Sequence, residues 1–251
     1  MTALHHYRRL PLEGMQNIRD LGGYPTPGGI TKYRVFVRSE LPVGIPDRDK
    51  AFLKSYGVRT VIDLRGSVDP LVPDELAGEE WISYVPVPLF DNSAFQCAET
   101  KDETDPAKRF SFMRHYCGMA DESKQWVSDA LSALAQAEGT ALFHCTTGKD
   151  RTGFISAMLL GLCDVARADI VENYCVSQLH LWQIRGKFFL PGGNSKESEE
   201  YFFSTPPENM EGLISYIDEQ YGGIKPYLSE CGVTQGTQRR LREKLTEAVP
   251  G

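Results

Sequence analysis

The segment that most restricts the fold is TALFHCTTGKDRTGFISAMLLGL, at residues 140–162. It opens with five residues typical of a short strand and continues through a loop that contains glycine. It then follows a helical pattern, with apolar residues at 154, 155, 158, 159 and 162. A strand that leads directly into a buried helix requires a sheet with helices packed against it. The segment therefore predicts an α/β fold.

The rest of the chain agrees with a small sheet and a helical C-terminal part. Strands are predicted at 58–65 and 81–91, the second bent or at an edge because of its prolines, with a short hairpin within 20–40. Helices are predicted at 46–57, 121–139 (ending at Gly139), 153–164, 168–184, 206–222 and 234–248. Residues 92–110 are polar and without period, which indicates an exposed loop. No linker divides the chain, so we predict one domain over residues 1–251.

Composition limits the partners. The formal net charge of -7 gives no reason to expect nucleic acid or an anionic membrane as a general partner. No apolar run approaches the ~20 residues that span a bilayer, and the N-terminus lacks the apolar core of a signal peptide. The 6 cysteines have neither disulfide-framework nor zinc-site spacing. We expect a cytoplasmic protein with reduced thiols, no metal and no cofactor. Secretion without a signal peptide stays open, and the sequence does not indicate an oligomeric state.

The loop between the strand and the helix has the features of an anion site. Backbone N–H groups of Thr146, Thr147, Gly148 and Lys149 are expected to point at the ligand, and the helix dipole adds positive charge. Gly148 and Gly153 are expected to allow close backbone approach and positive φ. This geometry favours a phosphate-like ligand.

Three side chains of the loop fit nucleophilic attack on phosphorus. Cys145 lies in the positive basin, where cations and a helix N-terminus favour the reactive thiolate. Arg151, six residues on, can hold two phosphate oxygens with its planar fork. The hydroxyl of Thr152 can bond the sulfur when it leaves, while His144 orders the loop. The expected reaction forms a phosphocysteine, which water then hydrolyses.

Two other interpretations of the loop compete with this one. A Walker loop requires GxxxxGK[ST], but Asp150 follows Lys149, which argues against an NTPase. A buried cysteine with an accidental arginine six residues later is a common pattern by chance. The flanking HC, the central glycine and the RTG ending make chance a poor explanation.

At this loop the sequence resembles the cysteine-dependent protein tyrosine phosphatases, whose signature is HCxxGxxR[ST]. It is most similar to the bacterial tyrosine/serine phosphatases, whose loop reads HCxxGKDRTG. Other segments are also similar to that family, namely NIRDLGGYPTPGG, YRVFVRSELP, GVRTVIDLR and YIDEQYGGIKPYLSECGVT, so the resemblance runs from about residue 14 to the end.

The resemblance implies a cysteine-phosphatase fold with a small, mostly parallel central sheet flanked by helices. It also implies a helical lid region at about 165–222. The implied activity is on phosphotyrosine, with phosphoserine, phosphothreonine and phosphoinositides as further substrates. Lys149 would add positive charge at the mouth and favour phosphoinositide head groups, although a solvated loop charge is the alternative.

The general acid that protonates the leaving group is open among three aspartates. Asp63 ends the strand in VIDLR, Asp91 follows VPVPLF and could also contact substrate, and Asp150 lies in the loop itself. Asp63 is the preferred candidate. Two of them also have a structural alternative, namely an ion pair of Asp63 with Arg65 or Arg38 and an ion pair of Asp150 with Arg151.

Several polar and aromatic residues outside the loop have two interpretations. Bracing of the hairpin is preferred over substrate contact for Asn17, Arg19, Asp20, Arg38 and Ser39. Helix packing is preferred over an aromatic mouth for Phe112, Met113, His115 and Tyr116. For the whole chain, the alternatives to a phosphatase are a rhodanese-like sulfur transferase and a non-catalytic phosphopeptide-binding module.

Overall fold

A five-stranded sheet forms the centre of the molecule. The computed structural model describes residues 8–66, 69, 71–89, 111–187 and 196–248. The strands of the sheet are β1 (Arg19–Asp20), β4 (Phe36–Ser39), β5 (Val58–Asp63), β6 (Ser83–Pro86) and β7 (Thr140–His144). Their spatial order is β1-β4-β7-β5-β6, and every pair is parallel except β1 with β4. A separate antiparallel sheet joins β2 (Pro25–Thr26), β3 (Gly29–Thr31) and β8 (Thr246–Glu247).

Helices cover both faces of the central sheet. They are α1 (Asp47–Tyr56), α2 (Phe112–Glu122), α3 (Lys124–Gln136), α4 (Asp150–Leu162), α5 (Arg167–Ile184), α6 (Lys196–Phe203), α7 (Pro207–Tyr221), α8 (Ile224–Glu230) and α9 (Gln235–Leu245). None of the helices in these described ranges has the length and apolar character needed to cross a membrane.

Helix α4 and strand β7 hold the middle of the core. The strand is buried along its whole length, and all but one residue of the helix is buried. The largest apolar cluster joins them to helices α2, α3, α5 and α7–α9, while a smaller cluster packs α1 against the opposite face of the sheet. Burial on both faces agrees with the adjacent apolar residues Val61 and Ile62 of β5 and Ala141, Leu142 and Phe143 of β7.

The strand register brings three chain segments to one edge of the sheet. Ser39, His144 and Asp63 are neighbours in register at the carboxyl ends of β4, β7 and β5. In parallel sheets the loops that leave this edge converge. The segments that follow Ser39, His144 and Asp63 therefore meet around the loop of residues 145–149.

Two helices have bounds that differ from the predicted ones. The helix predicted at 153–164 begins earlier, at Asp150, directly after the loop of residues 145–149. The helix predicted at 121–139 is shorter, because α2 and α3 are separated at Ser123, whose backbone is not helical. It ends at Gln136, and Gly139 instead provides the positive φ of 60° in the connection to β7.

Tertiary contacts account for other differences at the C-terminal end. The helix predicted at 234–248 stops at Leu245, because Thr246 and Glu247 pair with β3. Helices α6 and α8 lie in stretches where no helix was predicted. The predicted loop at 92–110 lies outside the described residues. Five cysteines lie within the described residues, and none of these five forms a disulfide there.

Candidate active site

The signature loop connects β7 to α4 through a turn that only glycine accommodates. Cys145 is the first loop residue, and it is 1% exposed. Gly148 has a φ of 69°, and a Cβ atom there would lie 2.3 Å from the carbonyl oxygen of Ser39. Gly153, for which positive φ was also expected, is instead an ordinary helical residue of α4. Of these two glycines, only Gly148 is therefore required for the close approach of the loop backbone to β4.

Neighbouring segments hold the carbonyl groups of the loop. The carbonyl of Thr146 accepts from the N–H of Leu41 at 3.1 Å, and that of Thr147 accepts from Nδ2 of Asn17 at 3.0 Å. The backbone amides of Thr146, Thr147 and Gly148 donate to no acceptor among the described residues. Asn17 thus braces the loop, while its Oδ1 accepts from Nη1 of Arg19 in the hairpin segment at 2.6 Å. With the carbonyls fixed outside, the amides are available to an anion.

His144 anchors the base of the loop. Its Nδ1 lies 3.0 Å from the carbonyl oxygen of Cys145, and its Nε2 lies 2.8 Å from Oδ2 of Asp74. Both side chains are fully buried. His144 therefore links the loop to the segment after β5, as expected for a residue that orders the loop. Asp74 was not among the predicted residues.

Arg151 binds the carboxylate of Asp69, a residue that was not predicted from the sequence. Its Nη1 and Nη2 donate to the two oxygens of Asp69 at 2.5 and 2.6 Å. Asp69 also accepts from the hydroxyl of Thr146 and from the N–H of Gly66. Burial raises the pKa of Asp69, but Arg151 and Thr146 lower it by more, so it lies below the ordinary value. Asp69 is therefore an anion held on the loop.

Lys149 is enclosed rather than exposed at the mouth, contrary to expectation. Its ammonium donates to the carbonyl oxygen of Phe202 and lies 3.7 Å from the centre of the Phe112 ring, which belongs to α2. Burial lowers its pKa, while Asp150, at 3.6 Å, opposes that shift. Cation–π contact and a carbonyl acceptor replace water around this charge.

Asp63, the preferred acid candidate, is paired with an arginine. Its carboxylate accepts from Nε and Nη2 of Arg65, at 3.0 and 2.6 Å, and from the hydroxyl of Tyr84 at 2.6 Å. Burial raises its pKa, but Arg65, His144 and Tyr84 together lower it below the ordinary value. These contacts favour the structural alternative, in which Asp63 braces the end of β5.

Asp150 lies at the first turn of α4, in a different environment. Its Oδ1 accepts from the hydroxyl of Tyr116 at 2.5 Å, and that hydroxyl lies 2.9 Å from the hydroxyl of Tyr174. Phe112 and Tyr116, two members of the predicted aromatic group, thus contact the side chains of Lys149 and Asp150. Phe112 and Tyr116 of α2 therefore both pack in the core and contact side chains of the site.

The two remaining predicted site residues are Thr152 and Asp91. The hydroxyl of Thr152 is fully buried and forms no hydrogen bond with the described residues, so the expected bond to the sulfur is not observed. Asp91 lies outside the described residues. Sequence reasoning missed Asp69 and Asp74, although one signal was available. Both follow β5 at the carboxyl edge of a parallel sheet, where the loop was expected to lie.

Three buried cations lie on the loop of Cys145 or contact it, namely Arg38, Lys149 and Arg151. Together with the amides of the loop and the N-terminus of α4, they form a site for an anion that the sulfur can attack. The fold and the site define the class of cysteine-dependent phosphatases.

Comparison with known proteins gives the family. The chain belongs to the tyrosine phosphatase family, whose sequence model matches residues 10–247. It is 27% identical to a tyrosine-protein phosphatase of Nostoc commune, over 85% of this chain and 74% of that protein. It is also 27% identical to the triple specificity protein phosphatase PtpB of Mycobacterium tuberculosis, over 95% of this chain and 98% of that protein. The molecule is a protein tyrosine phosphatase.

Two solved structures are similar to the chain over most of its length. The Siw14 catalytic core superposes with a TM-score of 0.46 at 13% identity, over 90% of this chain and 98% of that chain. TpbA of P. aeruginosa superposes with a TM-score of 0.38 at 16% identity, over 79% of this chain and 86% of that chain.

Proposed function

We propose that this phosphatase hydrolyses phosphotyrosine through a phosphocysteine formed on Cys145. The observation that carries the proposal is the position of Cys145 on an amide-lined loop that also holds the guanidinium of Arg151. Arginine binds phosphate through two parallel hydrogen bonds, and backbone amides bind the remaining oxygens. A phosphate that binds through Nη1 and Nη2 would displace Asp69, which now occupies these two donors.

The reaction has two displacement steps at phosphorus. The sulfur of Cys145 attacks phosphorus, the ester P–O bond breaks, and the leaving tyrosine oxygen takes a proton from an acid. A water molecule then attacks the phosphocysteine, the P–S bond breaks, and the conjugate base takes the water proton. The hydroxyl of Thr152 can donate to the departing sulfur. Inorganic phosphate and the thiolate are the products.

We assign the acid to Asp150 among the described aspartates. Asp63 and Asp69 are each bound to an arginine, and the pKa of each lies below its ordinary value. An arginine bound to a carboxylate favours the ionised form, which cannot donate a proton. Asp150 has no arginine partner of this kind, and a tyrosine hydroxyl and a lysine at 3.6 Å are its contacts. It also lies next to Arg151 at the first turn of α4.

Phosphoserine, phosphothreonine and phosphoinositides are proposed as further substrates, with Lys149 as the residue that separates phosphoinositides from the phosphorylated amino acids. PtpB, at 27% identity, is named for triple specificity. The ammonium of Lys149 is bound to the carbonyl of Phe202. A second phosphate on a head group could replace that carbonyl as acceptor. Phosphotyrosine, with one phosphate, does not need the exchange.

We also propose that residues 1–251 form a single phosphatase domain, with residues of about 165–222 as a lid region. Two contacts support this region's connection to the site. Lys149 bonds to Phe202 of α6, and the side chain of Asn173 in α5 accepts from Arg38 at 2.5 Å.

A cysteine variant tests the proposed function directly. Wild type should hydrolyse p-nitrophenyl phosphate and phosphotyrosine peptides and should be inhibited by vanadate. Cys145→Ser should lose turnover yet bind a phosphotyrosine peptide. Full activity of that variant would contradict the nucleophile assignment. Sulfur transfer from thiosulfate to cyanide by wild type would favour a rhodanese-like enzyme, and peptide binding without turnover would favour a binding module.

A further inference from the structure

A chain of hydrogen bonds runs from Asp150 through two tyrosines to Asn209, and the proposed reaction assigns it no role. The hydroxyl of Tyr116 donates to Oδ1 of Asp150 at 2.5 Å and lies 2.9 Å from the hydroxyl of Tyr174. Nδ2 of Asn209 donates to the hydroxyl of Tyr174 at 3.2 Å. Polar groups therefore connect the first turn of α4 with α2, α5 and α7 in that order.

The two tyrosines of this chain are fixed in the core. Each is 1% exposed, and their rings meet edge to face with centroids 5.8 Å apart. The ring of Tyr174 also packs on the first turn of α4, where a Cβ on Gly153 would lie 3.4 Å from it. Burial and the charge of Asp150 raise the pKa of Tyr116 well above its ordinary value, and the same two causes raise the pKa of Tyr174. Both hydroxyls therefore keep their protons at neutral pH.

The two carboxyl oxygens of Asp150 have different surroundings. Oδ1 accepts the hydrogen bond from Tyr116. Nζ of Lys149 is also on the side of Oδ1, but at 3.6 Å it is beyond hydrogen-bond distance, and it donates to the carbonyl of Phe202 instead. Oδ2 accepts no hydrogen bond from the residues that the structure describes. Either oxygen could carry the proton of the acid, so the directions of the hydrogen bonds in the chain become important.

Each tyrosine hydroxyl has one proton, which limits the chain to two arrangements. With the proton of the carboxyl group on Oδ2, Tyr116 donates to Oδ1, Tyr174 donates to Tyr116, and every proton of the chain has an acceptor. With that proton on Oδ1, the direction reverses, and Tyr174 accepts from both Tyr116 and Asn209. The proton of Tyr174 then has no acceptor among the described residues. A buried hydroxyl without an acceptor is unfavourable, so the chain favours the proton on Oδ2.

We propose that Tyr116 is a positioning residue that holds Oδ1 of Asp150, so that Oδ2 exchanges the proton with the substrate. In the first step the Oδ2 proton passes to the leaving oxygen, and the hydrogen bond from Tyr116 stabilises the carboxylate that remains. In the second step the attacking water returns a proton to Oδ2. Tyr116 keeps its own proton throughout. The inference rests on the proposed function, because it requires Asp150 to be the acid.

Single-atom variants isolate the hydroxyl of Tyr116. Tyr116→Phe removes the hydroxyl and keeps the ring, while Tyr174→Phe removes only the donor to Tyr116. Tyr227→Phe is the matched control, because Tyr227 is also fully buried and its hydroxyl donates to the carbonyl of Ala120 in α2 at 3.0 Å. Asp150→Asn, alone and combined with Tyr116→Phe, shows whether Tyr116 acts through Asp150.

The measurement is kcat/KM for phenyl phosphate and for p-nitrophenyl phosphate with the same preparation of each variant. The ratio of the two values does not depend on the folded fraction, and urea unfolding measures any loss of stability separately. For Tyr116→Phe we expect a loss of about tenfold with phenyl phosphate and of less than about threefold with p-nitrophenyl phosphate. Tyr174→Phe should lower the ratio by about twofold. Tyr227→Phe should keep the wild-type ratio.

The outcomes separate this inference from the proposed function. If wild type hydrolyses neither ester, or if Asp150→Asn lowers kcat/KM for both esters equally, the proposed function or its acid assignment fails. If Asp150→Asn is selective but Tyr116→Phe affects both esters equally, Tyr116 is only a packing residue and the inference is overturned. A selective loss in Tyr116→Phe that disappears in the Asp150→Asn background supports the inference. A selective loss that persists in that background would overturn it, because Tyr116 would then not act through Asp150.

Discussion

The carboxylate of Asp69 spans both terminal nitrogens of Arg151, with N–O distances of 2.5 and 2.6 Å. The pair is almost wholly buried, and Thr146 of the loop adds a further hydrogen bond to the same carboxylate. A phosphate that binds Nη1 and Nη2 of Arg151 through two parallel bonds uses the same geometry. Asp69 therefore competes with the substrate for the guanidinium.

Removing this competition should tighten phosphate binding. For Asp69→Ala we expect the inhibition constant of inorganic phosphate to fall by roughly tenfold, since a charge-assisted hydrogen bond contributes ~1.5 kcal/mol net. Competitive inhibition of p-nitrophenyl phosphate hydrolysis measures it. Glu75→Gln is the control, because the carboxylate of Glu75 accepts from the backbone amides of Gly44 and Ile45. A weaker affinity in Asp69→Ala would mean that Asp69 positions Arg151 instead.

The acid assignment predicts a dependence on the leaving group. Asp150→Asn should lower kcat for phenyl phosphate or phosphotyrosine by about 100-fold, because proton donation by a positioned acid contributes at least that much. The loss should be under about tenfold for p-nitrophenyl phosphate, whose leaving group needs little protonation. Asp63→Asn is the comparison, and it should affect both substrates by the same factor. A selective loss in that variant would return the acid role to Asp63.

Lys149 should separate the substrate classes. We expect Lys149→Met to lower phosphoinositide turnover by at least about tenfold while changing phosphotyrosine turnover by less than about threefold, because only the former offers a second phosphate to the ammonium. Phe202→Ala removes a ring 5.0 Å from that ammonium and should raise phosphoinositide turnover. Malachite green release of phosphate from both substrates measures the ratio. An equal loss for both classes in Lys149→Met would show a structural role.

The signature loop could be predicted because the residues that determine its conformation lie close together in the sequence. The β-branched and apolar residues of β5 and β7, the turn at Gly148 and the apolar helix after it lie within short windows of the sequence. They fix the strand, loop and helix order, and hence the relation of Cys145 to Arg151. The parallel arrangement of β5 and β7 follows from the same alternation of strands and helices.

The ion pairs of the site could not be predicted in the same way, because they join segments far apart in the chain. Asp69 reaches Arg151 across 82 positions, and Lys149 reaches Phe202 across 53. Asp69 lies in a stretch without periodicity, where no pattern marks a residue that contacts the loop. The burial of Lys149 depends on the packing of α2 and α6 around it. Charge and spacing alone therefore predicted an exposed lysine.

Asp20 gives a prediction about stability and pH. Burial raises its pKa from 3.8 to about 6, although Tyr56 and the amides of Arg34 and Gly22 donate to it and oppose the shift. The folded protein thus binds the proton more tightly than the unfolded chain does. The stabilisation from protonated Asp20 is complete below about pH 4 and is lost as the pH rises through about 6. A shift of about two units corresponds to ~3 kcal/mol.

Urea unfolding at pH 4, 5.5 and 7 checks this sign. The free energy of unfolding of wild type minus that of Asp20→Asn should fall by up to ~3 kcal/mol between pH 4 and 7, because the amide cannot ionise. The amide itself can weaken the fold at every pH, so only the change in the difference counts. Asp47→Asn, on the surface helix α1, serves as the control for general charge effects. A difference that is constant or grows with pH would contradict the raised pKa of Asp20, and the carboxylate would then be stabilised by its three donors.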